Sequence, residues 1–95
     1  MNHEELANAV RDLAIRTNAQ VGEASWFLFG SMLRASPDMS DIDIAVVCST
    51  PGVADAVRRT VDVDQFARPI HLSIFTKAED TEIRFTEKQG CIQII

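Results

Sequence analysis

The sequence predicts an α/β (α+β) domain in which a small mixed sheet packs against helices in two layers, and three observations predict it. Apolar residues recur at helical spacing in two stretches, Leu6, Val10, Leu13 and then Val53, Ala54, Val57, Val61. Short apolar runs lie between and beyond them, at Ala24–Phe29, Asp41–Val47 and Ile70–Phe75. The two patterns alternate along 95 residues, a length that suits one domain, 1–95, with no repeat, linker or low-complexity segment.

Taken in chain order, the elements begin with a helix. Asn2 caps it, with Glu5 three residues on as in a capping box, and its pattern fades near Thr17-Asn18. Ala24–Phe29 is rich in aromatic residues, stops at Gly30 and reads as a strand buried on both faces. Ser36-Pro37-Asp38 is a turn signal. Asp41–Val47 then opens with alternating acid and apolar residues and closes wholly apolar, as a second strand. Thr50-Pro51 starts a second helix, Thr as cap and Pro in the first turn. The stretch from Val61 to Arg68 is ambiguous. Ile70–Phe75 alternates strictly and reads as a third strand. Thr76 caps a last helix running to about Lys88, with Glu79, Asp80 and Glu82 where the helix dipole favours acids. Gly90 stops it, and Cys91–Ile95 forms a final edge strand.

Composition narrows the function classes. With 46% apolar residues and a mean hydropathy near zero, the chain carries enough apolar surface for a core. Its formal net charge of −5 argues against non-specific binding to nucleic acid or to an anionic membrane, both of which need a basic surface. No stretch approaches membrane-spanning length, and the acidic, amphipathic N-terminus lacks the apolar run of a signal peptide, so a cytoplasmic protein is expected. Cys48 and Cys91 show no metal-ligand spacing and read as reduced packing residues. His3 reads as solvated, Trp26 as a core or interface residue, and Arg58-Arg59 and residues Glu79 to Glu87 as exposed helix faces.

The chemistry concentrates between Phe29 and Val47. Residues two apart on a strand share a face, so Asp41 and Asp43 project together with Cα atoms roughly 6.6 Å apart. Paired carboxylates repel unless a cation lies between them, and Mg²⁺ is the hard ion that takes one or two carboxylates and completes its shell with water and substrate phosphates. Gly30 ends an apolar strand, where a glycine lets backbone approach a ligand closely. A helical turn opening at Ser31 would offer free N–H groups and a hydroxyl to phosphate oxygens, with Arg34 one turn on as a forked donor.

Gly30-Ser31, then nine residues ending at Ser40, then Asp41-Ile42-Asp43 opening an apolar strand, resembles the signature of the DNA polymerase beta-like nucleotidyltransferase superfamily. Ser40-Asp41-Ile42-Asp43 matches its common Ser-Asp-hydrophobic-Asp form, and the short chain with its leading helix looks most like the minimal nucleotidyltransferase proteins. The resemblance implies that Asp41 and Asp43 bind divalent metal, Mg²⁺, and that Gly30, Ser31, Arg34 and Ser40 hold a nucleoside triphosphate, ATP first among them. It implies transfer of a nucleoside monophosphate, such as AMP, to a protein or small-molecule acceptor. Some minimal members act instead as antitoxins to a helical HEPN-type partner, and a chain this short also raises the expectation of a homo-oligomer or a partner that completes the acceptor site.

The chain departs from the family pattern in two places. Leu33-Arg34-Ala35 lacks the glycine that many members carry after the arginine. On the resemblance, the family's third carboxylate belongs on the strand matching Ile70–Phe75, on the parity of His71, Ser73 and Phe75, at His71 or else at Ser73, neither of which is a carboxylate. Three readings stand open there. His71 acts as base or ligand; or the site binds nucleotide and transfers poorly; or Asp62, Asp64 or an acid of Glu79–Glu82 substitutes.

Overall fold

The computed structural model describes residues 3–30, 42–62 and 70–95. In chain order it builds α1 (His3–Val21), β1 (Ala24–Phe29), β2 (Ile42–Cys48), α2 (Pro51–Thr60), β3 (Ile70–Thr76), α3 (Lys77–Ile83), α4 (Phe85–Lys88) and β4 (Ile92–Gln93). The strands form one mixed sheet in the order β3-β2-β1-β4. β1 runs antiparallel to β2 and to β4, and β2 runs parallel to β3 across the α2 connection. The α/β architecture expected from the alternating patterns is the one observed. Asn2, the turn at Ser36-Pro37-Asp38 and the residues 63–69 lie outside the described residues, as does the side chain of His3.

One face of the sheet carries the core. Trp26 and Leu28 of β1, with Ile42, Ile44, Val46 and Cys48 of β2, pack against Leu6, Val10, Leu13 and Ala14 of α1 and Ala54 and Val57 of α2. The helical spacing read from the sequence therefore marks the buried stripes. α1 outlasts its fading apolar pattern and runs to Val21. The reason is local: Asn18, in the last turn, donates to the Ala24 carbonyl at 2.8 Å and accepts from the Trp26 indole at 2.9 Å. These bonds satisfy the indole N–H inside the core and tie the helix end to β1. Thr50 caps α2 as expected, its hydroxyl accepting from the Val53 N–H at 3.2 Å.

Three expectations need correction. β1 is not equally buried on both faces: Ala24, Trp26 and Leu28 are buried while Ser25, Phe27 and Phe29 are half-buried, because α1 and α2 cover one side fully and the short α3–α4 segment reaches the other only in part. The last helix does not run unbroken to Lys88. It breaks at Arg84, which adopts a left-handed conformation (φ 57°, ψ 41°) between α3 and α4. The carboxylate of Asp80 captures the Thr86 N–H at 3.0 Å and the Thr86 hydroxyl at 2.8 Å, competing with helix continuation. The final strand is shorter than Cys91–Ile95, although Ile94 and Ile95 still bond to the backbone of Trp26. Gly90 stops α4 at φ +61° in a Schellman turn, in which the Cys91 N–H donates to the Thr86 carbonyl and the Gly90 N–H to the Glu87 carbonyl.

The α3–α4 segment folds over the other face of the sheet. There the Phe85 ring meets Phe29 edge-on, with centroids 5.2 Å apart, and tilts against Phe75 at 4.7 Å. Ala45 and Val47, on the same face of β2, are buried. Cys48 is buried and Cys91 half-buried, both are free thiols, and burial pushes both above the ordinary thiol value. No helix among the described residues is long and apolar enough to cross a membrane.

Candidate functional site

The sheet registers bring the predicted residues together at one end. Across β1 and β2, Phe29 lies opposite Asp43; across β2 and β3, Asp43 lies opposite His71. Phe29, Asp43 and His71 therefore form one row on the face away from the α1–α2 core. The strict alternation of Ile70–Phe75 predicted this parity: Ile70, Leu72 and Ile74 contribute to the core, and His71 points the other way.

Within that row, Asp43 is 19% exposed and His71 61% exposed, and His71 Nδ1 stands 3.5 Å from Asp43 Oδ1. The other oxygen of Asp43 turns toward Gly30. Gly30 adopts φ +73°, which L side chains rarely enter, and a Cβ built there would overlap Asp43 Oδ2 and lie 3.0 Å from its Cγ. The carboxylate thus occupies space that exists only because residue 30 has no side chain. Glycine is required here twice over, by its backbone angle and by its neighbour.

Ser31, Arg34, Ser40 and Asp41 lie outside the described residues, so of the expected site the structure places Gly30, Asp43 and His71. Among the acids weighed as substitutes for the third carboxylate, Asp64 also lies outside them, and Glu79 and Asp80 are committed elsewhere. Glu79 closes a capping box with Thr76, which pairs with Cys48 at the opposite end of β2 from Asp43. Asp80 holds Thr86. Asp62 is exposed just beyond α2. Sequence reasoning missed Phe85, which reaches this face from α4. Its signal is faint, since a lone aromatic in an acidic helical stretch carries no motif, and the break at Arg84 that aims it depends on side-chain bonds.

A sequence profile described as the nucleotidyltransferase domain matches residues 4–94. This chain belongs to the nucleotidyltransferase domain family. The match spans α1 to the end of β4 and so takes in the whole sheet and the row at its end. Comparison with characterised proteins and with solved structures finds no match. Nucleotidyltransferase domains generally use divalent metals and act on nucleotides. Asp43 fits such a metal: it is a carboxylate on a partly open face, beside backbone that approaches it closely, and oxygen is the donor a hard divalent ion prefers. Among the described residues no three His, Cys, Asp or Glu side chains converge into a closed metal cage.

Proposed function

We propose that the chain binds a nucleoside triphosphate, ATP first, at a site where the carboxylates of Asp41 and Asp43 would hold Mg²⁺, and transfers the nucleoside monophosphate to a protein or small-molecule acceptor. The observation that carries this reading is the fit of the Asp43 carboxylate into the bare face of Gly30, beside the row shared with His71. A metal joined to Asp43 would neutralise phosphate charge and orient the α-phosphorus. Gly30, Ser31, Arg34 and Ser40 hold the triphosphate by backbone N–H groups, hydroxyls and a guanidinium. The acceptor hydroxyl attacks the α-phosphorus in line. A new P–O bond forms, the bond to pyrophosphate breaks, and the acceptor's proton passes to the imidazole of His71. The His71 imidazole stands 3.5 Å from the Asp43 carboxylate. The chain works in the cytoplasm.

One observation favours a second reading. An imidazole, not a carboxylate, stands opposite Asp43 on β3, where the family places its third acid. Mg²⁺ prefers oxygen, so the exchange weakens metal-assisted transfer and leaves nucleotide binding. On this reading the chain is a binding module that neutralises a helical HEPN-type partner.

Two measurements test these readings. Mg²⁺ with ATP is expected to raise the melting temperature of the chain, because a ligand bound only by the native state stabilises it; Asp43→Asn is expected to abolish the rise with the fold intact. An unchanged melting temperature at saturating nucleotide defeats both readings. Transfer of label from α-labelled ATP to an acceptor in a lysate, lost in Asp41→Ala, selects the enzyme; binding without transfer selects the module.

A further inference from the structure

We infer that Phe85 is a positioning residue for the carboxylate of Asp43, acting through Phe29 and Gly30; its functional meaning rests on the reading of Asp43 as part of the nucleotide site. The bracing of α4 is out of proportion to its length. The helix spans only Phe85–Lys88, and one that short has no stability of its own. Yet bonds fix it at both ends. Asp80 holds the Thr86 N–H and hydroxyl, the Arg84 guanidinium binds both carboxylate oxygens of Glu87 at 2.8 and 2.6 Å, and the Schellman turn closes on Gly90. What this bracing delivers to the sheet is the Phe85 ring, laid between Phe29 and Phe75.

The ring's position matters because Phe29 adjoins the carboxylate's own clearance. Phe29 is the last residue of β1, it pairs with Asp43, and the next residue is Gly30. The Asp43 carboxylate lies so close to the Gly30 Cα that no Cβ would fit between them. A displacement of a few tenths of an ångström at Gly30 therefore opens or closes the space that orients the carboxylate. The edge-on contact of Phe85 against Phe29 opposes that displacement. Ala45, fully buried, lies in the row between those of Phe29 and Phe75, where a larger side chain would compete with Phe85 for the same space. Phe85 touches neither nucleotide nor reacting atom in this scheme; it acts by holding the strand end.

The experiment compares the full chain with Phe85→Ala and Phe85→Leu by two readouts. The first needs no ligand: the backbone amide NMR signals of Gly30 and Asp43, with the Trp26 indole N–H, held by Asn18 in the core, as internal reference. Phe85→Ala is expected to shift the Gly30 and Asp43 signals and leave the indole signal in place, with Phe85→Leu shifting them less. The second is Mg²⁺–ATP affinity, expected to fall about tenfold or more in Phe85→Ala and to recover largely in Phe85→Leu. Gly30 and Asp43 signals unmoved in Phe85→Ala overturn the inference, as does an indole signal that moves with them. If Phe85→Ala does not fold, Phe85→Leu decides by the same signals. A wild-type chain that binds no Mg²⁺–ATP defeats the nucleotide reading, and the amide signals still judge the positioning.

Discussion

On β2, Ile42, Ile44 and Val46 turn to the α1–α2 side and are wholly buried, while Asp43 turns the other way and keeps about a fifth of its side chain exposed. One face of the sheet is a dry apolar layer with Trp26 at its centre. The other carries Asp43 and His71 at one end, with a short braced segment covering the rest. The two faces differ in what an error costs. On the first, shape and apolar area are at stake, so a lost side chain is felt as stability. On the second, an acid is held beside backbone with almost no clearance, so on the proposed function a small displacement is expected to be felt as lost binding. Strand alternation lets one seven-residue segment serve both demands.

The contrast breaks most visibly at Trp26. Trp26→Ala removes a fully buried side chain and orphans the Asn18 amide oxygen that accepts its N–H. A loss of about 3–5 kcal/mol is expected, a large fraction of what a domain of this size holds in reserve. Denaturant unfolding measures it; a loss under about 1 kcal/mol would mean that the α1–α2 face is not the main source of stability. The next effect lies on the other face. Gly30→Ala is expected to remove the nucleotide-dependent stabilisation, about 2.7 kcal/mol at a ligand concentration one hundred times the Kd, because its methyl takes the place of the Asp43 carboxylate. A Gly30→Ala chain that keeps the full thermal shift with Mg²⁺–ATP would show that the carboxylate works from a different position.

The two faces were not equally legible. The core face comes from periodicity: Leu6, Val10 and Leu13, or Val53 and Val57, announce a helix and its buried stripe together, because both obey the same 3.6-residue repeat. The row of Asp43 and His71 was legible from the strict alternation of β3 once the register was known, since parity assigns faces without further information. The clearance at Gly30 was not legible, because it depends on which oxygen of Asp43 turns toward it. The break at Arg84 was hidden for a related reason. Residues Thr76 to Lys88 contain no Gly or Pro to mark a break, and the bonds from Asp80 to Thr86, six residues away, make a kink the better arrangement. Sequence alone therefore leaves Phe85 on a solvent-facing helix, and the kink is what carries its ring to the sheet.

The position opposite Asp43 sharpens the contrast further. His71→Asp places a carboxylate in the row where the resemblance puts a third acid, at a residue 61% exposed and outside the core. Stability is expected to change little. Transfer from α-labelled ATP is expected to rise about tenfold or more, equivalent to about 1.4 kcal/mol of transition-state stabilisation. If transfer falls instead, a carboxylate does not take over the proton that the proposed reaction gives to the His71 imidazole, and an added oxygen donor does not offset that loss.

The smallest expected effect concerns the start of the segment that covers the second face. Thr76 ends β3 and caps α3: its hydroxyl accepts the Glu79 N–H at 3.1 Å, and Glu79 accepts the Thr76 N–H at 2.9 Å in return. Thr76→Ala removes half of this box and is expected to cost about 1 kcal/mol at neutral pH. The hydrogen bonds from Thr76, the backbone N–H first, hold the Glu79 carboxyl below the ordinary value of 4.5. A carboxyl lowered in the folded chain contributes stability above its unfolded value and loses that contribution as pH falls through the folded one. The gap between wild type and Glu79→Ala, which removes that carboxyl, is therefore expected to be full at pH 7 and to narrow in the acid range below the ordinary glutamate value. Melting curves at the two ends of that range measure it. A gap independent of pH would mean that the threonine hydroxyl alone caps α3, and that the reciprocal bond from Glu79 contributes nothing to holding the segment over the sheet.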